Sequence, residues 1–212
     1  MFITLEGPDG SGKTTQIRLL YDALVAAECD VLLTREPGGT AIGDQIRTVL
    51  HDIENSDIVP ETEILLYSAS RAQLVGQVIR PALAAGTIVL CDRYADSTMA
   101  YQGYGRGLNL EALTAITDFA TGGLKPDLTL FLDLEPEIGL TRRKTSGQEW
   151  NRMDRQTLDF YRLTRRGYHT LAEMEPERWV SIDASGSITE VAAAVWATVQ
   201  RRLNLQGQSP CG

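Results

Sequence analysis

The stretch from Gly7 to Thr15 constrains this chain more than any other. It reads GPDGSGKTT and fits the pattern G-x-x-x-x-G-K-[ST], with a short apolar run before it and a helical pattern after it. Glycines in such a turn let backbone N–H groups point inward, and the following helix adds the positive end of its dipole. The stretch therefore predicts a phosphate-binding loop between a strand and a helix, and with it a nucleoside triphosphate site.

The side chains of this loop have separate parts in binding the triphosphate. Lys13 supplies a point charge for the phosphates, and Thr14 supplies a hydroxyl that can ligate Mg²⁺. The predicted nucleotide-binding set is Gly7, Pro8, Asp9, Gly10, Ser11, Gly12, Lys13, Thr14 and Thr15.

Five apolar segments alternate with helical patterns along the chain. The apolar segments cover residues 2–5, 30–34, 87–91, 128–132 and 179–182. The helical patterns cover residues 13–27, 41–51, 61–85 with a bend near Pro81, 109–121, 137–144, 154–175 and 188–203, and residues 103–107 form a glycine-rich stretch. This order predicts a three-layer α/β fold, with a five-stranded parallel sheet and helices on both faces. Residues 1–203 are expected to form one domain, and residues 204–212 a disordered tail.

Composition and charge exclude several classes of protein. The 212 residues fit one domain with a substantial core. The net charge of −8 argues against a nucleic-acid surface or an anionic-membrane binder, because both need basic excess. No apolar run reaches the length of a membrane span, and Met1 leads straight into a strand. Cys29, Cys91 and Cys211 are odd in number and widely spaced, which indicates reduced thiols in a cytoplasmic protein.

Asp92 and Arg93 follow directly after the third apolar segment. A carboxylate there can hold Mg²⁺ and its water shell, although a lone aspartate would favour a simple turn residue. The adjacent guanidinium offers a bidentate fork for phosphate and keeps its charge. The pair predicts a meeting point for two phosphate groups at the carboxyl edge of the sheet. The loop that contains Glu36 projects from the same edge, where ligands of open α/β sheets bind.

Two further groups allow two interpretations on spacing alone. Thr98, Tyr101 and Gln102 stand at i, i+3 and i+4, so on a helix they share one face. That face could hold a nucleobase and a sugar, or it could be a polar helix surface. Tyr67 and Arg71 are four residues apart, which suits a base-stacking ring beside a guanidinium, or core packing by Tyr67 alone.

Arg142, Arg143, Lys144 and Arg152 flank a loop that contains Gly and Ser. A solvated charged face is the ordinary interpretation of such a cluster. A mobile lid that brings an arginine to a phosphoryl-transfer transition state is the interpretation we favour, because the transferring phosphate must be shielded from water. The sequence thus predicts a short basic lid at about residues 142–152.

Together these segments resemble the bacterial thymidylate kinases over nearly all of residues 1–203. The resemblance is carried by GPDGSGKTT at 7–15, REPGGT at 35–40, YSASRAQ at 67–73 and, most specifically, DRYADSTMAYQG at 92–103, with a weaker match at 160–168. It implies a P-loop kinase that uses ATP and Mg²⁺ to convert dTMP to dTDP. Members of that family are generally homodimers.

The resemblance also implies roles for residues around the phosphates. Lys13 contacts the transferring phosphates of ATP, while Thr14 and Asp92 organise Mg²⁺ and its waters. Asp9 reaches the 3′-hydroxyl of the acceptor sugar, and Arg93 binds the acceptor phosphate.

A second implied set binds the rest of the acceptor nucleotide. Tyr101 crowds the 2′ position, so that deoxyribose is favoured over ribose. The residues that stack on thymine or hydrogen-bond to it are Tyr67, Arg71, Thr98 and Gln102, and Glu36 belongs to the same substrate-binding set. The stacking position in this family is more usually Phe, so Tyr67 adds a hydroxyl that needs a partner or water.

Family members take a catalytic arginine either from the P-loop or from the lid. The P-loop position here is Gly10, so the resemblance implies a lid arginine, with Arg142, Arg143 and Arg152 as candidates. An Asp-Arg pair is expected after the lid, and this chain has Asn151 before Arg152, which removes one negative charge.

Two other functions are weighed against the dTMP kinase. A deoxynucleoside kinase would phosphorylate a nucleoside and would not need Arg93 beside the Pro-Gly-Gly loop. A regulatory nucleotide-binding switch would recruit partners, but the Asn-Lys-x-Asp signature of a guanine-specific switch is absent from the sequence. Comparing dTMP with thymidine as acceptor separates the two kinases.

Overall fold

The computed structural model describes residues 1–145, 147 and 152–204. Within them, five strands form one parallel sheet in the order β2-β3-β1-β4-β5. The strands are β1 (Phe2–Glu6), β2 (Val31–Arg35), β3 (Ile88–Asp92), β4 (Leu128–Asp133) and β5 (Trp179–Asp183). The predicted five-stranded parallel sheet is confirmed, and the first strand lies at its centre.

Helices surround this sheet. The described α-helices are α1 (Lys13–Ala26), α2 (Ala41–His51), α3 (Pro60–Leu74), α4 (Arg80–Ala84), α5 (Ala95–Thr98), α6 (Leu110–Thr121), α7 (Pro136–Thr145), α8 (Leu158–Met174) and α9 (Ile188–Leu203). Local capping signals set where some of them begin. Thr40 Oγ1 accepts the backbone N–H of Gly43 at the start of α2, and Ser187 forms a capping box with Glu190 at the start of α9. Both helices have the bounds that the sequence predicts.

The apolar residues of β1 contribute to two separate hydrophobic clusters. Ile3 and Leu5 pack with residues of α1 and α9. Phe2 belongs to a different cluster, which includes Leu74 at the end of α3. Since successive side chains of a strand point to opposite faces, the sheet is covered on both sides. The polar residues that end β1 and β3 are therefore held on a rigid, buried frame.

The chain between residues 61 and 85 is not a single bent helix. A π-helical turn at Val75–Ile79 separates α3 from α4. Pro81 has no backbone N–H, so it cannot donate an α-type hydrogen bond to the preceding turn. The sequence predicts one helix with a bend near Pro81, whereas the structure has two α-helices joined by a wider turn that ends shortly before the proline.

Two other segments differ from the sequence prediction. A π-helical segment, Met99–Gly105, continues directly from α5 and includes part of the glycine-rich stretch 103–107. The helix predicted over residues 154–175 is divided into a 3₁₀ turn, Arg152–Arg155, and α8. Both the π-helical segment and the 3₁₀ turn contribute residues to the cavity described below.

Some predictions fall on residues outside the described part of the chain. The predicted lid is described only in part, and position 151 is not included. The predicted tail lies outside the described residues after Asn204, as does Cys211. Cys29 and Cys91 are both free thiols. None of the helices in the described ranges combines the length and the apolar character needed to cross a membrane.

Candidate active site

The loop between β1 and α1 is a tight turn that depends on its glycines. Gly10 and Gly12 have φ angles of +79° and +91°, which residues with side chains rarely adopt. The carbonyl oxygen of Gly12 accepts the backbone N–H groups of Thr15 and Gln16 at the start of α1. The remaining N–H groups of the first turn and the positive end of the helix dipole favour an anionic partner.

Gly10 also makes a close backbone contact with α7. A Cβ atom added at Gly10 would lie 2.1 Å from the carbonyl oxygen of Gly139, and one added at Gly139 would lie 2.4 Å from the carbonyl oxygen of Asp9. A side chain at position 10 would therefore require the backbone to move. This contact agrees with the expectation that position 10 does not supply a catalytic arginine.

Lys13 is buried at the base of the loop. Its Nζ donates to the carbonyl oxygens of Gly7 at 2.9 Å and of Pro8 at 2.8 Å. Burial, together with the nearby charge of Arg93, lowers the pKa of the Lys13 amine to about 8. The amine is therefore mostly cationic at neutral pH.

Thr14 and Asp92 meet where α1 faces the end of β3. Thr14 Oγ1 donates to Asp92 Oδ2 at 2.9 Å. Asp92 is the last residue of β3 and is paired in register with Leu5 of β1, which places it beside the start of the loop. A hydroxyl and a carboxylate are oxygen ligands of the kind that Mg²⁺ prefers, so the two residues fit that ion.

The guanidinium of Arg93 donates hydrogen bonds to Asp9, to Tyr101 and to the backbone of the P-loop. Its Nη2 donates to Asp9 Oδ1 at 2.7 Å and to Tyr101 Oη at 3.0 Å, and its Nη1 donates to the carbonyl oxygen of Gly7 at 3.1 Å. Tyr101 Oη also donates to Asp9 Oδ2 at 3.0 Å. Burial opposes the ionisation of Asp9, but Arg93 and Lys13 outweigh it and hold the pKa of that carboxyl below its usual value. Asp9 is therefore anionic at neutral pH.

Glu6 is a buried carboxylate to which the sequence assigned no role, and it is linked to Arg93 through two hydroxyl groups. Glu6 Oε2 accepts from Ser97 Oγ at 2.6 Å and from Tyr168 Oη at 2.8 Å. Both of these oxygens lie 3.2 Å from Arg93 Nη1 and accept from it. Burial raises the pKa of Glu6 to about 7. Glu6 could have been found from the sequence, because it is a charged residue directly after an apolar run, and Asp92 was identified by the same pattern.

Arg71 and Glu36 form a buried ion pair, in which Arg71 Nε donates to Glu36 Oε2 at 2.8 Å. Arg71 Nη2 donates to Thr98 Oγ1 at 3.0 Å. Arg71 Nη1 and Glu36 Oε1 are also buried, and neither has a partner in the described ranges. Because a buried polar atom without a partner costs about 1–3 kcal/mol, these two atoms indicate a site for a polar ligand.

The aromatic and amide side chains predicted to hold a base line the same cavity. Tyr67 lies one turn before Arg71 on α3, and burial raises the pKa of its hydroxyl to about 12. Thr98 ends α5, while Tyr101 and Gln102 belong to the π-helical segment. The three residues thus belong to two consecutive helical segments, and all three line the cavity.

The three candidate lid arginines have different surroundings. Arg143 donates to both carboxylate oxygens of Asp154, at 2.9 and 2.7 Å. Arg142 donates to two backbone carbonyl oxygens just after β5. Arg152 is buried and donates to Glu63 Oε2 at 2.5 Å and to a carbonyl oxygen near the end of α2. Of the three, Arg142 and Arg143 line the cavity.

These residues surround a cavity of about 1100 Å³. One end is formed by the P-loop, Arg142 and the start of α9, and the other by Tyr67, Arg71 and Gln102. Arg93 contacts both ends, because it bonds to the backbone of the P-loop and to Tyr101. Since a pocket for one small ligand has a volume of roughly 300–1000 Å³, this cavity can hold two ligands end to end.

Comparisons with known proteins agree with this geometry. The family model described as thymidylate kinase matches residues 5–195. The thymidylate kinase of Roseiflexus castenholzii is 52% identical over 94% of this chain and 93% of its own length, and that of Deinococcus radiodurans is 52% identical over 95% and 97%. The crystal structure of thymidylate kinase from Ehrlichia chaffeensis has a TM-score of 0.75 and 34% identity, over 94% of this chain and 98% of its own. Because these similarities extend over nearly the whole sequence, the chain belongs to the thymidylate kinase family.

Proposed function

We propose that this protein is a dTMP kinase, which transfers the terminal phosphoryl group of ATP to dTMP and forms ADP and dTDP. The observation that carries the proposal is one cavity that joins the P-loop to Arg93, Asp9 and Arg71. A triphosphate donor fits the N–H groups and Lys13 at one end. A nucleoside monophosphate fits the guanidinium of Arg93 together with the unpaired polar atoms of the other end.

On the donor side, the backbone N–H groups of residues 10–15 and Nζ of Lys13 bind the phosphates of ATP. Thr14 and Asp92 hold Mg²⁺, an ion that neutralises charge on the phosphate oxygens during transfer. Arg142 and the chain after β5 border the far end of this half of the cavity, where the adenine binds.

On the acceptor side, Arg93 binds the phosphate of dTMP. Asp9 is anionic and therefore accepts a hydrogen bond from the 3′-hydroxyl of the sugar, while the ring of Tyr101 occupies the space beside the 2′ carbon. Tyr67 stacks on the thymine. Arg71 Nη1 donates to a thymine carbonyl oxygen, and Glu36 fixes the orientation of that guanidinium. Thr98 and Gln102 complete the hydrogen bonds around the base.

We assign Arg143 to the transferring phosphoryl group. It lines the cavity, and its two hydrogen bonds to Asp154 fix the plane of its guanidinium. These bonds raise the pKa of Arg143, so the group is permanently charged. A fixed cation next to the phosphate oxygens stabilises the charge that develops there in the transition state. Arg152 is assigned a positioning role instead.

The enzyme is further proposed to be a homodimer that uses α2, α3 and α6. These helices pack side by side and carry the exposed apolar residues Ile42, Val49, Leu65, Leu110 and Phe119. Leu65 is 57% and Phe119 is 92% exposed, which is the kind of apolar surface that a second copy would cover.

Sedimentation velocity tests the dimer. The wild-type protein should sediment as a dimer and Leu65→Glu as a monomer. Met174→Glu changes another exposed apolar residue, on α8, and should remain a dimer. A monomeric wild-type protein would refute this assembly.

We also propose that residues 1–203 form a single domain and that the enzyme works in the cytoplasm. The support for one domain is the shared core of the two ends of the chain, since α9 packs with α1 and β1. The basic segment 142–152 is then a lid within that domain.

Coupled ADP release tests the proposed reaction, with ATP, Mg²⁺ and, in parallel, dTMP, thymidine, dUMP, dCMP or AMP. ADP should form rapidly with dTMP and hardly at all with thymidine. Rapid turnover of thymidine would support a deoxynucleoside kinase instead. ADP release that does not depend on the acceptor would support an ATPase or a switch.

The Arg93→Ala variant tests the site within the same assay. Its kcat/KM for dTMP should fall about a hundredfold, equivalent to about 3 kcal/mol, while ATP still binds. Arg201→Ala removes an exposed arginine of α9 and should leave the kinetics unchanged. Unaltered dTMP kinetics in Arg93→Ala would contradict the role of Arg93.

A further inference from the structure

We propose that Glu63 determines which pyrimidine base the pocket accepts, because it fixes the orientation of the side-chain amide of Gln102. The inference rests on the proposed dTMP kinase function. Glu63 lies in the first turn of α3 and is 1% exposed, and Gln102 is 2% exposed. The sequence pattern assigned no role to Glu63.

Three side chains donate hydrogen bonds to the Glu63 carboxylate. Arg106 donates through Nε at 2.8 Å and Nη2 at 3.0 Å, Arg152 through Nη2 at 2.5 Å, and Gln102 through Nε2 at 2.8 Å. Burial opposes ionisation, but the hydrogen bonds from Arg106 and Gln102 outweigh it and hold the pKa of Glu63 below its usual value. Glu63 is therefore a charged carboxylate at neutral pH, compensated by two guanidinium groups.

An ionised carboxylate can only accept hydrogen bonds. The end of the Gln102 amide that faces Glu63 must therefore be its NH₂ group, although the shape of an amide does not by itself distinguish its two ends. The other end is the carbonyl oxygen Oε1, which receives no hydrogen bond from the residues in the described ranges. Because Gln102 lines the cavity, Oε1 is the atom that it presents to a ligand.

Pyrimidine bases differ in what they offer to such an acceptor. Thymine and uracil carry an N3–H donor, whereas cytosine has a lone pair at N3 and an amino group at C4. An oxygen acceptor that faces N3 binds the first two bases and repels the third. Arg71 adds to this preference, because Nη1 can donate to a carbonyl oxygen at C4 but not to an amino group.

The same arrangement explains why Arg152 is buried. Arg152 and Arg106 keep Glu63 charged, and a charged Glu63 keeps the NH₂ group of Gln102 turned away from the base. Arg106 and Arg152 are therefore positioning residues that act on base selection through Glu63. Arg106 belongs to the turn after the π-helical segment that carries Gln102, so the two donors reach Glu63 from adjoining parts of the chain.

The Glu63→Gln variant tests the inference by steady-state kinetics with dTMP, dUMP and dCMP. A carboxamide at position 63 can donate as well as accept, so the amide of Gln102 can turn over and present NH₂ to the base. The ratio of kcat/KM for dTMP over dCMP should fall at least about tenfold. The ratio for dTMP over dUMP should stay unchanged, since both bases carry N3–H.

Glu61→Gln is the matched control, because Glu61 is an exposed residue in the same turn of α3. It should leave both ratios unchanged. A merely structural role for Glu63 would lower kcat/KM for all three acceptors alike. Equal losses of that kind, or an unchanged ratio of dTMP over dCMP in Glu63→Gln, would overturn the inference.

A second measurement uses the wild-type protein and does not depend on the folding of Glu63→Gln. The side-chain N–H signals of Gln102 are assigned by NMR from their loss in a Gln102→Met variant. Since Nε2 of the buried Gln102 donates a hydrogen bond to a buried carboxylate, exchange of the bonded proton with water should be at least about tenfold slower than exchange of the exposed Gln45 side chain, before any nucleotide is added. Exchange as fast as that of Gln45, or protection that arises only with dTMP, would overturn the inference.

Failure of this inference is distinguishable from failure of the proposed function. A wild-type protein that does not phosphorylate dTMP would refute the kinase, and the protection of the Gln102 amide would still report its orientation. A wild-type kinase that prefers dTMP, with an unchanged preference in a folded Glu63→Gln variant, would refute the role of Glu63 alone.

Discussion

Removal of a single oxygen atom, in Tyr101→Phe, tests how the Arg93 cluster serves the acceptor. The ring of Tyr101 packs edge-on against Phe160 and Tyr168, with centroid separations of 6.0 and 6.3 Å, and phenylalanine retains this packing. The variant loses Oη, which joins Arg93 Nη2 to Asp9 Oδ2 through two hydrogen bonds of 3.0 Å. The fold should therefore survive while the cluster loses one of its links.

The magnitude follows from these two bonds. Hydrogen bonds to charged groups contribute about 1.5–3 kcal/mol each. Asp9 keeps its 2.7 Å bond to Arg93, and its side chain is 27% exposed, so water can replace the hydroxyl in part. Because water replaces the hydroxyl at Asp9, we count one of the two bonds as lost and take the lower end of its range, which is about 1.5 kcal/mol, or about tenfold in kcat/KM for dTMP. The KM for ATP should stay the same, because the link lies on the acceptor side.

Coupled ADP release and thermal unfolding measure both effects. Tyr21→Phe is the control, because Tyr21 lies on α1 and its hydroxyl forms no hydrogen bond within the described ranges. A kcat/KM for dTMP within twofold of wild type in Tyr101→Phe would refute the reasoning. A raised KM for ATP with unchanged dTMP kinetics would mean that the hydroxyl serves the donor instead.

Two other predictions concern the P-loop and the wall of the cavity. Gly10→Ala should abolish ATP binding and lower the unfolding free energy by at least about 2 kcal/mol, because its Cβ would meet a backbone carbonyl oxygen of α7. Calorimetry with ATP and thermal unfolding check this, with Gly76→Ala as control, since a Cβ there meets nothing within 4 Å. Burial, and to a smaller extent the charge of Arg47, lowers the pKa of His51 to about 4. Below about pH 6.5 the unfolded chain therefore binds a proton at this residue that the folded chain does not bind until the pH approaches 4. Between pH 6.5 and 5 the free energy of unfolding should therefore fall by about 2 kcal/mol less in His51→Gln than in the wild type. Denaturant titrations at the two pH values measure this difference, and an equal fall in both proteins would contradict the low pKa.

Local signals in the sequence were sufficient for the sheet, for most helices and for the P-loop. The central strands β1, β3 and β4 are mostly buried, and each begins with a run of apolar residues or threonine that marks its position without knowledge of its neighbours, whereas the edge strands β2 and β5 are partly exposed. The start of α9 is marked by Ser187 and Glu190, three residues apart, which cap the helix by themselves. The bounds of such elements follow from interactions within a few residues.

The parts of the site that were missed depend on partners far away in the chain. Glu6 receives the backbone N–H of Tyr94, 88 residues later, and Glu63 receives Arg152, 89 residues later. The position of Glu6 directly after an apolar run could have marked it as a candidate, but a single sequence carries no local signal for the distant partners of either carboxylate. The π-helical segments were missed for a similar reason, since tertiary contacts, rather than residue preference, decide between an α turn and a wider one.

The backbone contact between Gly10 and Gly139 restricts the evolutionary paths open to this chain. An arginine at position 10 would require α7 to move away from the P-loop, and α7 carries Arg142 and Arg143. A displacement that admits a loop arginine would therefore disturb the two basic residues that already line the cavity. An arginine at position 10 is therefore incompatible with the present positions of Arg142 and Arg143, and it becomes accessible only together with further substitutions that move α7.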